Sequence, residues 1–377
     1  MEFTLSSTAL HKSVSMISKV LTRKPSLPIL SDFHCEVQPG ILLLTASDTE
    51  VTITDSLVLE SNSGVGFFCM DADRIKSALA KLPEQPVTLK VTDDQIVLTH
   101  ESGNFHFPIN NPNPYEYPMP VEMLAPNLPN EFDIDSREVI EAVSRSLWAC
   151  AVDDLRPVMS GVCFHIENGY LEIVATNGHC IVRNRIKVKA ITDQDLKATF
   201  VLPKKAALIL TQQSKDTEFT IAFDGDHVLI NSELTYIFAS LLDAKYPNYN
   251  SVWPTGTRPT ALIYRSKLLN SVSKVSPFAS DASNMIRLMF SKDSLVVSSE
   301  DYDFQVGATD AFNVEYEGDT IAFGMKSSAL QKALQIMKTD KLYMEFKDAN
   351  TAVTLTYEEP DENNQVDILL MPMLIND

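Results

Sequence analysis

Glycine and cysteine are scarce in this chain of 377 residues, which holds 12 Gly and five Cys. So few glycines, beside 20 prolines, exclude a collagen-like or low-complexity chain. The cysteines (Cys35, Cys69, Cys150, Cys163, Cys180) show no C-x-x-C spacing and read as reduced, buried thiols rather than a disulfide framework. Histidine is thin as well, at seven residues with no H-E-x-x-H. The only Cys/His neighbours, Cys163 with His165 and His179 with Cys180, do not make a zinc tetrahedron, so no metal or cofactor is expected. No apolar run approaches the roughly 18 residues of a spanning helix. The opening MEFTLSSTALHK has no basic stretch leading into an apolar block. Neither a membrane span nor a signal peptide is expected, and the expected location is cytoplasmic. Also missing are a P-loop, a nucleophile elbow and a glycine-rich phosphate cradle. Acid pairs such as Asp48 with Glu50, or Asp153 with Asp154, are the remaining enzyme candidates, but 50 acids produce such pairs by chance. No intrinsic catalysis is expected.

Positive charge is the next shortage. With 31 Lys and Arg against 50 Asp and Glu, the net charge is −19, which taken alone argues against nucleic acid. Where the charges sit matters more. Residues 3–31, 196–215, 244–280 and 320–339 hold sixteen of the 31 cations and none of the acids, and the rest of the chain carries −35.

What is present is a repeat with a period near 130. Phe3 to Ser7 (FTLSS), Phe132 to Ser136 (FDIDS) and Leu262 to Ser266 (LIYRS) each read as a short alternating strand ending in a serine suited to cap a helix. Apolar stripes follow: Leu10, Val14, Ile17 and Leu21; then Val139, Val143 and Leu147; then Leu268, Leu269, Val272 and Val275. A second set of strand–helix starts lies inside each repeat, at Phe68, Phe200 and Phe323. Turn signals at Asn168-Gly169, Asp224-Gly225 and Glu317-Gly318-Asp319 separate alternating strands between the helices. Proline-rich stretches from Pro112 to Pro129 and from Tyr246 to Pro259 read as linkers. The expectation is an α+β chain of three similar domains with six helices, bounded at 1–125, 126–255 and 256–377.

Each acid-free window contains one of those helices. At about 100° per residue, Lys12, Lys19 and Arg23 oppose the first apolar stripe. Lys267 and Lys274 share one stripe of the fifth helix, and Lys332 opposes Leu330 and Leu334 on the sixth. A solvated face normally mixes both signs, whereas sign-pure helices in an acidic chain suit a surface that meets a polyanion. Lysine-rich and poor in base-reading residues, such a surface would hold backbone phosphates without sequence choice.

Five segments in order resemble the bacterial DNA polymerase III β-subunit family of sliding clamps. They are Lys24 to Leu30 (KPSLPIL), Arg156 to Gly161 (RPVMSG), Val174 to His179 (VATNGH), Tyr246 to Tyr249 (YPNY) and Leu370 to Met373 (LMPM). The resemblance spans essentially the whole chain. It implies the DNA-clamp fold, in which three repeated domains put helices inside and antiparallel sheets outside. It also implies a head-to-tail homodimer closed into a ring around duplex DNA, acting as a processivity factor. Twelve helices of ~10 Å give a circle of roughly 38 Å between axes and about 28 Å of clearance, against a duplex of roughly 20 Å.

The resemblance further implies DNA contacts at Lys24, Arg74, Arg156, Lys204 and Lys205. A partner-peptide pocket would comprise Met159, Thr176, Gly178, His179, Ile181, Pro247, Val252, Leu370, Met371, Pro372 and Met373, adaptable through its methionines. Ring contacts would involve Phe105, Phe107 and Phe278. The implied partners are double-stranded DNA, the DNA polymerase III catalytic subunit, the clamp-loader complex and repair polymerases, the proteins binding through short peptides. Pro157, Val158, Cys180 and Ser251 depart from the family pattern. The competing reading is a monomeric peptide-binding scaffold whose basic helices are merely solvated.

Overall fold

The computed structural model describes residues 1–111, 113–120, 123, 128–152, 156–188, 190–191, 196–256, 258–359 and 364–375. Pro112 of the first expected linker, the boundary at 125/126, Asp153, Asp154 and the last two residues lie outside them. Among the described residues there are six α-helices: α1 (Ser7–Ile17), α2 (Ala72–Leu79), α3 (Ser136–Ser146), α4 (Lys204–Leu210), α5 (Arg265–Val275) and α6 (Ser327–Ile336). None is long and apolar enough to cross a membrane.

The chain divides into two compact units. One is Met1–Glu141 with Val188–Leu196 and Leu202–Asp243; the other is Ala142–Lys187 with Lys197–Val201 and Ala244–Asp377. The first unit contains a five-stranded sheet in the order Ser61–Ser63, Glu2–Ser6, Pro86–Val91, Gln95–His100, Gly103–Pro108. It also contains a nine-stranded sheet in the order Ala190–Ile191, Asn130–Asp135, Glu218–Phe223, His227–Asn231, Thr235–Ser240, Val51–Val58, Ile41–Ser47, Asp32–Gln38, Gly66–Asp71. The second unit contains an eight-stranded sheet in the order Ala198–Leu202, Val162–Glu167, Tyr170–Thr176, Cys180–Lys187, Asn364–Leu370, Val353–Tyr357, Lys341–Glu345, Thr260–Tyr264. Its four-stranded sheet runs Val306–Asn313, Ser294–Asp301, Met285–Ser291, Ile321–Lys326.

These orders expose the repeat. Each third of the chain supplies two sets of strands, and the nine- and eight-stranded sheets form where sets from successive repeats pair edge to edge. The middle repeat is shared between both sheets, so contacts gather into two units although the sequence repeats three times. Both joins are antiparallel and use one register. Val51 faces Ala239 in the first, and Cys180 faces Leu370 in the second.

Alternation drives the strands, because successive side chains point to opposite faces. Phe3 and Leu5, then Phe132 and Ile134, are buried in the first strand of repeats one and two. In repeat three the buried pair is Ala261 and Ile263, so this repeat starts one residue earlier than the Leu262 to Ser266 alignment assumed. The helix entry agrees. The Ser7 N–H donates to Gln85 O and Ser136 N–H to Thr217 O, and the third equivalent bond runs from Arg265 N–H to Asp340 O. The serines expected as caps are therefore not all caps. Ser6 caps α1 by accepting from Ala9 N–H at 3.3 Å, while the Ser7 hydroxyl donates to Pro83 O and accepts from Gln85 N–H.

The first helix is also shorter than its stripe suggested. It ends at Ile17, and Leu21 lies beyond the cap at Ser18. The Tyr246–Pro259 stretch is no free linker, since Tyr246 and Tyr249 are buried. The Tyr246 hydroxyl accepts from Thr176 N–H at 3.1 Å, and Tyr249 donates to the Glu172 carboxylate at 2.7 Å. All five cysteines are buried and none forms a disulfide. Among the described residues no three His, Cys, Asp or Glu side chains gather as a metal site.

Candidate nucleic-acid and peptide-binding sites

The helix cations expected to oppose the core do so at Lys12, Lys267, Lys274 and Lys332, whereas Lys19 and Arg23 lie beyond the end of α1 and share no helix face with its apolar stripe. Leu10, Val14 and Ile17 of α1 are fully buried while Lys12 is exposed; Lys19, Arg23 and Lys24 are exposed after the helix ends. Lys267 and Lys274 are exposed on α5, and Lys332 on α6. Lys274 lies 3.2 Å from Asp310. Such exposed pairs contribute little to stability and leave the ammonium accessible.

The candidate DNA residues separate by environment. Lys24 is exposed in the segment after α1. Lys204 is half-buried at the start of α4. Lys205, beside it, is committed within the chain: its ammonium pairs with the Asp48 carboxylate and donates to the Val20 carbonyl. Arg74 is exposed on α2, with Nε 3.4 Å from Asp71, the residue that caps that helix. Arg156 lies against the expected pocket rather than with the helix cations. Its Nη1 is 3.9 Å from the Met159 sulfur, and a Cβ added to Gly178 would stand 2.9 Å from the same nitrogen.

The pocket is built around a tight turn. Asn177 Oδ1 accepts from the N–H groups of His179 and Cys180 at 2.9 and 3.0 Å, an Asx turn. Gly178 has φ +87°, left-handed backbone that a Cβ disfavours. The Thr176 hydroxyl accepts from Gly178 N–H and donates to Cys180 O, closing the turn from below. Burial pushes the Cys180 thiol up to about 11, so it stays a protonated, apolar lining group. The chain end is laid against this turn: Met371 N–H donates to His179 O, and Met373 N–H donates to Gly324 O. Glycine is required at 324 for that approach, because an added Cβ would stand 2.8 Å from Met373 O.

A cavity of about 450 Å³ opens there, lined by Trp148, Asn177, His179, Cys180, Ala282, Ser283, Met325, Lys326, Ser328, Ala329, Lys332 and Leu370 to Met373. Of the expected pocket residues, His179, Leu370, Met371, Pro372 and Met373 line it. Thr176 and Gly178 shape the turn, Met159 and Ile181 are buried, and Pro247 and Val252 are exposed on the Tyr246–Pro259 stretch. Sequence reasoning missed the wall contributed by α6 and the strand before it, from Met325 to Lys332. The one signal for it was the strand–helix start at Phe323, with Lys332 opposite Leu330 and Leu334.

The Asx turn recurs at the equivalent place in each repeat. Asp48 Oδ1 accepts from Glu50 and Val51 N–H groups at 3.0 and 2.8 Å, and Asp301 Oδ1 from Asp303 and Phe304 at 3.0 and 3.2 Å. Asp48, offered by the sequence as half of an acid pair, is thus a structural residue.

Of the ring-contact candidates, Phe105 and Phe107 lie on the edge strand Gly103–Pro108, and Phe278 ends the 3-10 turn after α5. Phe107 is buried within its own unit, and Phe105 is half-buried, stacked on His100 at 4.8 Å. Phe278 is 40% exposed.

Two antiparallel edge-to-edge joins between repeats, six α-helices among the described residues and a methionine-lined cavity at a repeat junction define the sliding-clamp class. Models of the DNA polymerase III beta subunit match the chain end to end: the N-terminal domain at 1–121, the central domain at 133–248 and the C-terminal domain at 250–374. The chain belongs to that family, and its function is that of a DNA sliding clamp in replication. It is 26% identical to the beta sliding clamp of Pseudomonas aeruginosa, over 99% of this chain and 100% of the relative. To that of Haemophilus influenzae it is 22% identical, again over 99% and 100%. Among solved structures, a DnaN sliding clamp from Pseudomonas aeruginosa bound to griselimycin superposes with TM-score 0.92 at 23% identity, covering both chains fully. The DNA polymerase III beta subunit of Thermotoga maritima gives 0.89 at 20% identity, also with full coverage of both.

Proposed function

We propose that two copies of this chain close head to tail into a ring that encircles duplex DNA and tethers the replicative polymerase, with domains at 1–125, 126–255 and 256–377. The observation that carries the reading is the common register of the two junctions within the chain. Its repeat positions leave one half-sheet without a partner at each end. Strand Gly103–Pro108 is the counterpart of Thr235–Ser240 and Asn364–Leu370, and strand Val306–Asn313 is the counterpart of Val51–Val58 and Cys180–Lys187. Carrying the register over pairs Phe107 with Val306 of the second copy, Phe105 with Ala308 and Gly103 with Asp310. Burial supports it: Val51 and Cys180 are 1% and 3% exposed in their completed sheets, whereas Val306 is 43% exposed. Open strand edges invite such pairing, and a head-to-tail contact that closes leaves none. Phe278 would cover the join.

Lys24 and Lys204, with Lys12 and Lys267, would hold the duplex through phosphates without sequence choice, while Lys332 borders the peptide cavity and the acidic remainder repels DNA elsewhere. Lys205 holds a repeat junction, Arg156 borders the peptide pocket, and Arg74 faces the contact between copies. The cavity receives short apolar peptides of the polymerase catalytic subunit, the clamp loader and repair polymerases. The chain is an accessory subunit without catalysis of its own and acts in the cytoplasm. Loaded protein should remain on nicked circular DNA in high salt and run off linear DNA. Equal retention on both would favour a scaffold that binds without encircling.

A further inference from the structure

The three Asx turns stand at equivalent junctions, yet their surroundings differ. At the first junction the place opposite the turn is filled: Lys205 reaches Asp48, and Ala206 and Ile209 of α4 are buried. At the second, α6 carries Ser328, Ala329 and Lys332 at the corresponding places, and the cavity lies there. The third turn belongs to the edge that is open in a single chain, and it is longer. Six residues stand between Glu300 and its partner Gly307, against four between Ser47 and Thr52 and between Thr176 and Ile181. The longer turn projects two aromatic side chains, Tyr302 at 84% and Phe304 at 75% exposed. Large apolar side chains this open mark contact surfaces.

The counterpart of α6 for this turn is α2. Phe68 and Phe323 head the strands entering the two helices, and the buried Ile75 and Leu79 match the buried Leu330 and Leu334. In step with them, Asp73, Arg74 and Ser77 take the places of Ser328, Ala329 and Lys332, and all three are exposed. Resting on the ring proposed above, we infer that Tyr302 and Phe304 of one copy fill, against α2 of the second copy, the space that at the second junction is the peptide cavity. Arg74 offers its guanidinium to an aromatic face. The partner is thus a second copy of this chain. Each chain keeps one open peptide site because the other two junctions are plugged, one by an ion pair and one by aromatic rings.

The test is sedimentation equilibrium of the full chain carrying Tyr302→Ser with Phe304→Ser. Removing the two aromatic side chains should weaken self-association on the order of tenfold or more. A second arm places Phe304→Cys with Ser77→Cys and adds a short bismaleimide. A covalent two-chain product is expected, with little background because the native thiols are buried. Unchanged association without a cross-link, in protein that still forms the ring, would overturn this inference alone. Wild-type chain that never self-associates would overturn the ring reading as well.

Discussion

The Lys205 ammonium grips the Asp48 carboxylate, 157 residues away along the chain, and the same carboxylate shapes its turn through the N–H groups of Glu50 and Val51. At the next junction the equivalent residues are Ser328 and Asn177, and a cavity replaces the ion pair. One substitution at each of two places therefore decides whether a junction is sealed or receives a peptide. Installing the pair as Asn177→Asp with Ser328→Lys should close the cavity. Peptide affinity, read by fluorescence anisotropy, should fall at least about tenfold, while thermal stability is kept.

Removing the seal has a cost. Lys205→Ala leaves Asp48 little exposed and without its cation, which should destabilise the chain by about 1–2 kcal/mol. Urea denaturation of the variant measures it, and Lys204→Ala beside it should stay within about 0.5 kcal/mol of the parent.

Asp55 carries a pH signature. Burial raises its carboxyl above the usual range, only partly offset by the hydroxyl bond from Thr235 at 2.8 Å. The folded state therefore holds this proton more tightly than the unfolded one, and the carboxylate's contribution to stability diminishes as pH rises from the unfolded towards the folded value. Its counterpart at the second junction is already an amide: Asn184 is buried and donates to Ile173 O at 3.1 Å and Ser146 Oγ at 2.9 Å. Asp55→Asn should raise the melting temperature at pH 7 and lose that advantage below pH ~4, near the unperturbed aspartate value. Calorimetry at the two pH values reads both.

Gly178→Ala tests the pocket turn. With φ +87° and Arg156 2.9 Å from the added carbon, the variant must strain the backbone and displace the guanidinium. A loss of about 1–2 kcal/mol in stability is expected, with weaker peptide binding.

For the DNA surface, Lys24→Ala should lower the slope of log affinity against log salt by about 0.9 if Lys24 neutralises one phosphate. An unchanged slope would remove it from the contact set.

Much of the architecture was legible because buried aromatics mark it: Phe3 and Phe132, then Phe68, Phe200 and Phe323, recur at strand starts. The third repeat was read one residue late because its core residue is the small Ala261, while the bulkier Leu262 beside it is only half-buried. The cavity was half legible. The Leu370 to Met373 stretch stands out as apolar sequence at the chain end, but Ser328, Ala329 and Lys332 look like any solvated helix. Lys205, expected at the DNA, is held within the chain because its acceptors, Asp48 and the Val20 carbonyl, come from another repeat that nothing local in the sequence reveals.

The ring itself is tested most directly by a disulfide. The shared junction register sets Asn104 of one copy opposite Thr309 of the next, both exposed in the single chain. Oxidising the full chain with Asn104→Cys and Thr309→Cys should give one closed two-chain product, linked twice. Moving the second cysteine to Ala311 should give none. A ladder of open oligomers, or equal linkage at both positions, would contradict closure by this strand pair.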